Sequence, residues 1–319
     1  MIKVAIVGAS GLVGQEIVRC LVEEGLIEKI NLTLYSSEKS AGQKICICEK
    51  EYVFEKLSEQ ALSQKFDIVF FSAGDEISKN WAQKFVQSGS FVIDNTNAFR
   101  KDKNVPLVVP EINACEIKNS KLIANPNCST IQMVVVLDRL KVLSKIKKVV
   151  VSTYQSVSGA GKEAVFDLQN KTKNCIVEGI YDNVIAKIGG IDENGHSSEE
   201  NKIMFETNKI LNDNIKVIAT AVRVPVPYCH SESVYVEFEN DIDLSDVENL
   251  LNVPHIRFSK SEIFLPSIAQ KSNLTFVCRM RKCEKNSLAF FVVADNLRRG
   301  AAYNAVKIFD YLLKHKTTK

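Results

Sequence analysis

A chain of 319 residues that is 45% hydrophobic and 25% charged can bury substantial cores and is expected to form two domains. A net charge of +3 with a pI near 8.3 is too mild for a nucleic-acid-binding protein, and no aromatic-studded basic patch appears. The longest apolar runs are strand-sized and interrupted, so no transmembrane span is expected, and a strand starting at the N-terminus leaves no room for a signal peptide. Nine scattered cysteines without a CxxC pair argue against structural zinc and for free thiols in a reducing cytoplasm.

Residues 3–7 form a β-branched run that feeds Gly8-Ala9-Ser10-Gly11-Leu12-Val13-Gly14, and residues 11–24 then take helical periodicity. GxxGxxG between a strand and a helix is a spacing variant of the dinucleotide fingerprint. Glycines permit the tight turn and let a pyrophosphate approach main-chain N–H groups at the helix start. The next strand, 31–35, ends in Ser36-Ser37-Glu38-Lys39-Ser40. An NAD site usually places an acid there for the ribose 2′-hydroxyl. Hydroxyls and Lys39 suit a 2′-phosphate instead and favour NADP, although Glu38 could serve NAD. Strands at 67–72 and 91–94 flank a helix near 75–88, which implies a parallel, doubly wound sheet. Arg100 follows the fourth of these strands, placed either to clamp an anion or simply at the surface. Pro106 and Pro110 mark an irregular segment.

A short strand, 121–124, is broken by Asn125-Pro126-Asn127, and a helical pattern with Met133, Val136, Leu137 and Leu140 begins soon after. Cys128 therefore sits where a helix starts, where unpaired N–H groups and the helix dipole favour a thiolate. It is a candidate nucleophile. Beyond it the pattern turns β-rich, at 149–155, 215–226, 233–239, 274–282 and 287–294, with a helix over 197–211. An antiparallel or mixed sheet in a second α+β domain is expected. The last helix, 300–314, is expected to return to the first domain, and the lysine tail 314–319 to fray. The boundaries are placed at 1–127 and 128–299.

Gln155, Ser158 and Gly159 lie in a polar turn after a strand, where Gln155 is placed to orient a carbonyl or a water. Arg223 starts Arg-Val-Pro-Val-Pro-Tyr-Cys-His, whose prolines enforce an extended or bulged backbone. A nucleophilic thiol needs a proton partner that titrates near neutrality, and His230 is the best placed of the four histidines. Glu199 and Lys202 share a helical face, as a charged substrate clamp or as a surface ion pair.

In order, GASGLVG, SEKSAG, NAFR, PNCST, YQSVSGAG, SEENK, RVPVPYCHS and DNLRRGAA (295–302) make the chain resemble the aspartate-semialdehyde dehydrogenases from the first strand into the last helix. Ser10 stands where threonine is common and Lys39 where arginine is common. The resemblance implies a Rossmann-type NADP-binding domain and a catalytic and dimerisation domain. Cys128 would attack the aldehyde of L-aspartate 4-semialdehyde while His230 takes the proton. Hydride passes to NADP⁺, leaving an acyl thioester that phosphate attacks to give 4-phospho-L-aspartate; in cells the reaction runs in reverse. Gln155 would position the acyl group, Arg223 the α-carboxylate and Glu199 the ammonium, with Arg100 and Lys202 on the phosphate and Asn127 and Asn296 lining the site. Cofactor contacts are expected from Gly8, Ser10, Gly11, Leu12, Val13, Gly14, Ser36, Lys39, Ser40, Ser72, Ser158, Gly159 and Asn296, with no metal. A homodimer or a dimer of dimers is implied. An acyl-phosphate reductase of the N-acetylglutamyl-phosphate type and a silent NADP-binding redox sensor are the alternatives.

Overall fold

Short aliphatic runs alternate with amphipathic helices through the first unit of the computed structural model, which describes residues 1–245 and 247–315. β1 (Ile2–Val7) turns into α1 (Leu12–Glu23), and β2 (Ile30–Ser36) pairs parallel to β1 with Val4 opposite Leu32. There follow β3 (Lys44–Ile47), β4 (Lys50–Lys56), α2 (Gln60–Ser63), β5 (Ile68–Phe71), α3 (Asp75–Gln87), β6 (Phe91–Asp94), α4 (Pro110–Asn113) and β7 (Leu122–Ala124). The sheet runs β3-β4-β2-β1-β5-β6-β7, parallel except at the β3–β4 hairpin. Strand order reverses at β1, so the expected doubly wound sheet has its ligand crevice at the carboxyl end of β1. All of β5 is buried, as helices on both faces require.

The β3–β4 hairpin was not foreseen. Ile47 pairs with Lys50 across a two-residue turn in which Cys48 and Glu49 both take positive φ, 47° and 65°. Such turns usually carry Asn or Gly, and that signal is missing. Likewise the segment marked by Pro106 and Pro110 runs into the single turn of α4, entered through Pro110.

The second unit comprises α5 (Cys128–Leu140), β8 (Ile146–Gln155), α6 (Lys162–Asn170), α7 (Ser198–Leu211), β9 (Lys216–Arg223), β10 (His230–Phe238), α8 (Val247–Leu251), β11 (Ile256–Phe258), α9 (Pro266–Ala269), β12 (Thr275–Glu284) and β13 (Ser287–Ala294). Its mixed sheet is ordered β11-β12-β13-β10-β8-β9, with β8–β9 and β11–β12 parallel. β9 stops at Arg223, short of the expected 226, because Pro225 and Pro227 cannot donate to a ladder. β10 begins at His230, three residues before the expected start.

α5 is buried nearly all round, and with α7 it covers one face of this sheet. Burial alternates along β8, β9 and β10. That parity aims Gln155, Arg223 and His230 toward the helices from adjacent strands. On the opposite face Tyr154 and Ile218 are exposed at 38% and 42%.

The chain divides after Pro126 and again after Gly300, the last stretch rejoining the first unit. There α10 (Tyr303–His315) packs against α1, and Asn304 Nδ2 donates to Asn125 Oδ1 (2.7 Å) and to the Val108 carbonyl (2.9 Å). Phe309 and Ile308 join Ile6, Ile17 and Phe70 in its core. The tail expected to fray lies outside the described residues from 316 on. No described helix is long and apolar enough to cross a membrane.

Candidate active site

Asn127 is the N-cap of α5, in extended conformation, and its side-chain oxygen accepts from the N–H groups of Ser129 (3.0 Å) and Thr130 (3.2 Å). Cys128 is thus the first residue of a 13-residue helix, half-buried, at the end that attracts anions. A β-carbon on Gly300 would lie 2.7 Å from Cys128 Cβ, so only glycine lets the turn at 298–302 back the nucleophile this closely.

Asn127 faces two ways. Its Nδ2 donates to Glu199 Oε1 at 2.7 Å, and its main-chain N–H donates to Glu206 Oε2 at 2.6 Å. Glu199 and Glu206 are seven residues apart, two turns along the buried face of α7. Glu206 was not among the expected site residues, though its spacing from Glu199 was a usable signal. α7 is itself pinned by a capping box between Ser197 and Glu200, and Glu200 Oε1 also accepts the Ala221 N–H of β9 at 2.9 Å.

Glu199 further accepts from Gln155 Nε2 (3.2 Å) and Lys202 Nζ (3.0 Å). Burial raises its carboxyl, but the Lys202 charge and the hydrogen bonds from Asn127, Lys202 and Gln155 outweigh this and hold it below the usual range. Glu199 is thus buried and Lys202 half-buried, so the pair is not a fully solvated surface pair. Arg223, also buried, donates from Nη1 to the Ser156 carbonyl at 2.7 Å. Burial lowers its pKa, and the negative charges at Glu199 and Cys128 oppose that.

His230 has no solvent exposure. Its Nδ1 accepts the Ser156 main-chain N–H at 3.0 Å and lies 3.0 Å from Ser156 Oγ. Burial, then the Arg223 charge, push the ring pKa down to about 3 against the pull of Glu199. Cys229, at φ 70°, delivers His230 to the sheet and packs with Phe264, Phe276 and Val293, so it is a core thiol. Its N–H donates to Asn296 Oδ1 at 3.0 Å. Asn296 also contacts the hydroxyls of Ser156 and Ser158, each at 3.1 Å, and is thus occupied by the loop that positions His230. A β-carbon on Gly159 would sit 3.0 Å from Arg223 Nη1 and 3.3 Å from the His230 ring.

Asn127, Cys128, Gln155, Ser158, Gly159, Glu199, Lys202, Arg223, His230 and Asn296 therefore converge within the second unit. Ser156, Glu206 and Gly300 are additions to the expected set. The remaining expected residues belong to the first unit. Gly8 takes φ 90°, and a β-carbon there would meet the Ser72 carbonyl group at 2.7 Å. On Gly14 a side chain would run into the Gly8 carbonyl and come within 2.7 Å of Ala9 Cα. Gly11 caps α1 without a side chain, and no acid occupies the first turn, which Leu12 and Val13 open. This bare helix start suits a pyrophosphate. Ser72 Oγ donates back to the Val7 carbonyl and Ser36 Oγ to the Ser37 carbonyl. Ser10 follows the carboxyl end of β1, and Lys39 and Ser40 follow that of its parallel neighbour β2. Glu38 is ion-paired with Lys56 of β4 at 2.7 Å. Arg100 is buried and donates from Nη2 to the Asn95 carbonyl at 2.8 Å. None of the nine cysteines is in a disulfide.

Two family models match the chain. One describes a semialdehyde dehydrogenase NAD binding domain, over residues 3–120, and the other a semialdehyde dehydrogenase dimerisation domain, over residues 137–299. The aspartate-semialdehyde dehydrogenase of Aquifex aeolicus is 44% identical, with 98% of each chain covered, and that of Bacillus subtilis is 40% identical with the same coverage. The crystal structure of aspartate semialdehyde dehydrogenase II complexed with ASA from Vibrio cholerae superposes with a TM-score of 0.94 at 38% identity, covering 99% of each chain. In sequence, fold and arrangement of motifs alike, the chain belongs to the aspartate-semialdehyde dehydrogenase family.

Proposed function

We propose that the protein is an NADP-dependent, phosphorylating oxidoreductase that interconverts 4-phospho-L-aspartate and L-aspartate 4-semialdehyde through an acyl thioester on Cys128. It would act in biosynthesis of the aspartate-family amino acids (lysine, threonine, methionine and diaminopimelate). The observation that carries this reading is a half-buried thiol at a helix start in the same unit as a buried cation, Arg223, and a buried anion, Glu199. An α-amino acid presents both charges, and its recognition needs one partner of each sign.

Arg223 holds the α-carboxylate with its planar fork, and Glu199 holds the ammonium. Gln155 orients the acyl group, with Asn127 fixing the Glu199 rotamer. Lys202 and Arg100 bind the phosphate. Thioester formation splits one hard displacement into two easier ones. When bound, NADP supplies or accepts the hydride. Gly8, Ser10, Gly11, Leu12, Val13 and Gly14 suit its pyrophosphate. Ser36, Lys39 and Ser40 suit a 2′-phosphate, and the engagement of Glu38 by Lys56 supports that preference. Ser158, Gly159 and Asn296 complete the cofactor side. Exposed Tyr154 and Ile218 on the uncovered sheet face support a homodimer formed there. The free thiols support a cytoplasmic setting.

The test is NADP⁺ reduction, followed by NADPH absorbance, with L-aspartate 4-semialdehyde, with and without phosphate. Strict phosphate dependence is expected. Reduction without phosphate would make the protein a hydrolytic aldehyde dehydrogenase and end the proposal.

A further inference from the structure

One buried acid has no part in the proposed reaction. Glu232 lies on β10 two residues after His230, so both side chains point to the face that α5 and α7 cover. It is 1% exposed, and its ladder partners, Thr153 on β8 and Val292 on β13, carry no charge. Beside it stand Ser129 and Gln132, buried in the first turns of α5 directly after Cys128.

Hydrogens are short in this cluster. Gln132 Nε2 reaches the His230 main-chain carbonyl at 3.5 Å, and since that oxygen only accepts, the atom facing it is the amide nitrogen. Gln132 Oε1 is left to accept from elsewhere. It, Ser129 Oγ and both Glu232 oxygens are buried without a well-formed hydrogen bond among the described residues. If Glu232 were a carboxylate, Ser129 and Gln132 could donate to it, but nothing would donate to Gln132 Oε1. A carboxylic acid supplies the missing hydrogen: its O–H goes to Gln132 Oε1, and Ser129 donates to its other oxygen.

We propose that Glu232 is a neutral carboxylic acid whose O–H ties Gln132 of α5 to β10, a positioning residue that sets Cys128 against its expected proton partner His230. This rests on the proposed function. Gln132 is then held by the His230 main chain and by Glu232 together, which fixes the start of α5 along β10. Neutrality also matters, because a further carboxylate against this turn would repel the Cys128 thiolate. The titratable and charged groups at this end of the sheet are Cys128 on α5, His230 on β10, Arg223 on β9, and Glu199, Lys202 and Glu206 on α7. Both cations act on Glu199. Burial therefore pushes the Glu232 carboxyl well above the usual range, against hydrogen bonding from Gln132 and Ser129.

At about pH 8, where ordinary carboxyls are ionised, the infrared spectrum of the wild type should contain a carboxylic-acid carbonyl band that Glu232→Gln removes. Absence of such a band, or its survival in Glu232→Gln, would overturn the proposal. Alkylation of Cys128 by iodoacetamide, followed against pH on the Cys128 peptide, should have the same midpoint in both proteins. A midpoint lower by about half a unit or more in the variant would reveal a wild-type carboxylate and refute the neutral acid. Neither measurement needs turnover, so failure here is distinct from failure of the proposed reaction. In the assay Glu232→Gln, which keeps a donor for Gln132 and an acceptor for Ser129, should hold kcat within about threefold of wild type. Glu232→Ala should lower kcat about 10–100-fold with NADPH affinity unchanged, as for a displaced nucleophile. Equal kcat in the two variants would refute the positioning role, and the spectrum and alkylation still decide if Glu232→Ala does not fold.

Discussion

At an ordinary helix N-cap, Asn→Asp is neutral or stabilising, since aspartate caps as well as asparagine and adds a charge that suits the dipole. At Asn127 the opposite is expected. Aspartate would keep the acceptors for Ser129 and Thr130, and the dipole would contribute about 0.3–1 kcal/mol. The donor aimed at Glu199 Oε1 across 2.7 Å would become an oxygen, however, inside a site where Glu199 is 5% exposed. Two carboxylates about 4 Å apart repel by about 4 kcal/mol at an effective dielectric of about 20. After the dipole gain, and with Lys202 offsetting part of the repulsion, a net loss of about 3 kcal/mol remains. At roughly 2–4 °C per kcal/mol, Tm should fall by about 10 °C at neutral pH. The sign against pH is fixed. Wild-type Glu199 is held below its unfolded value, so its contribution is present above the unfolded pKa and disappears only as pH falls through the lower folded one. In Asn127→Asp one carboxyl of the pair is raised, so its penalty is full at neutral pH and fades as pH falls through the raised value. The Tm gap to wild type should therefore narrow between about pH 7.5 and about pH 5, measured by calorimetry. Asn127→Ala, which loses cap and donor without adding a charge, should show no such narrowing. A variant as stable as wild type at pH 7.5, or a gap that stays constant with pH, would refute the reasoning.

Cys128→Ala should abolish turnover and leave NADPH binding, read by fluorescence titration, unchanged; loss of binding in a folded variant would contradict the separation of roles. Arg223→Lys removes the planar fork and one hydrogen bond to the Ser156 carbonyl, so KM for the semialdehyde should rise at least tenfold, about the effect of one charged hydrogen bond. A near-normal KM would count against Arg223 as the carboxylate clamp. Gly300→Ala places a methyl 2.7 Å from Cys128 Cβ and must displace the nucleophile. A kcat loss of about 100-fold with cofactor affinity intact is expected, and unchanged kcat would show that the turn can yield.

Much of the architecture could be read from the residues because periodicity is local. The β-branched run before Gly8, the helix after it and the all-apolar Ile68–Phe71 each announce a parallel sheet through their own side chains. The β3–β4 hairpin escaped because its turn uses Cys48 and Glu49, which carry no turn signal. Strand ends near Arg223 were misplaced for a related reason. Val224 and Val226 look like strand residues, and Pro225 and Pro227, each following one of them, decide the matter only once a ladder partner is known to be needed.

At the site, residue types were legible and pairings were not. Cys128, His230, Arg223 and Glu199 stand out as groups able to do chemistry, but a charge in a sequence has no partner. On sequence alone Glu199 and Lys202 read better as a surface pair, until α7 is packed against α5 and Asn127 and Gln155 become further donors to Glu199. Ser156 is the clearest case. As a residue it is one more hydroxyl in a loop, and its contribution to His230 is largely a main-chain N–H that every residue but proline possesses. What brings that N–H to the ring is placement. β8 and β10 are neighbours, with Tyr154 paired to Ser231, so the residue leaving β8 meets the first residue of β10. A shift of register by one would turn His230 to the uncovered face and put Ser231 in its place. The main-chain hydrogen bond that the histidine ring accepts is therefore set by strand pairing before any side chain in the site is specified.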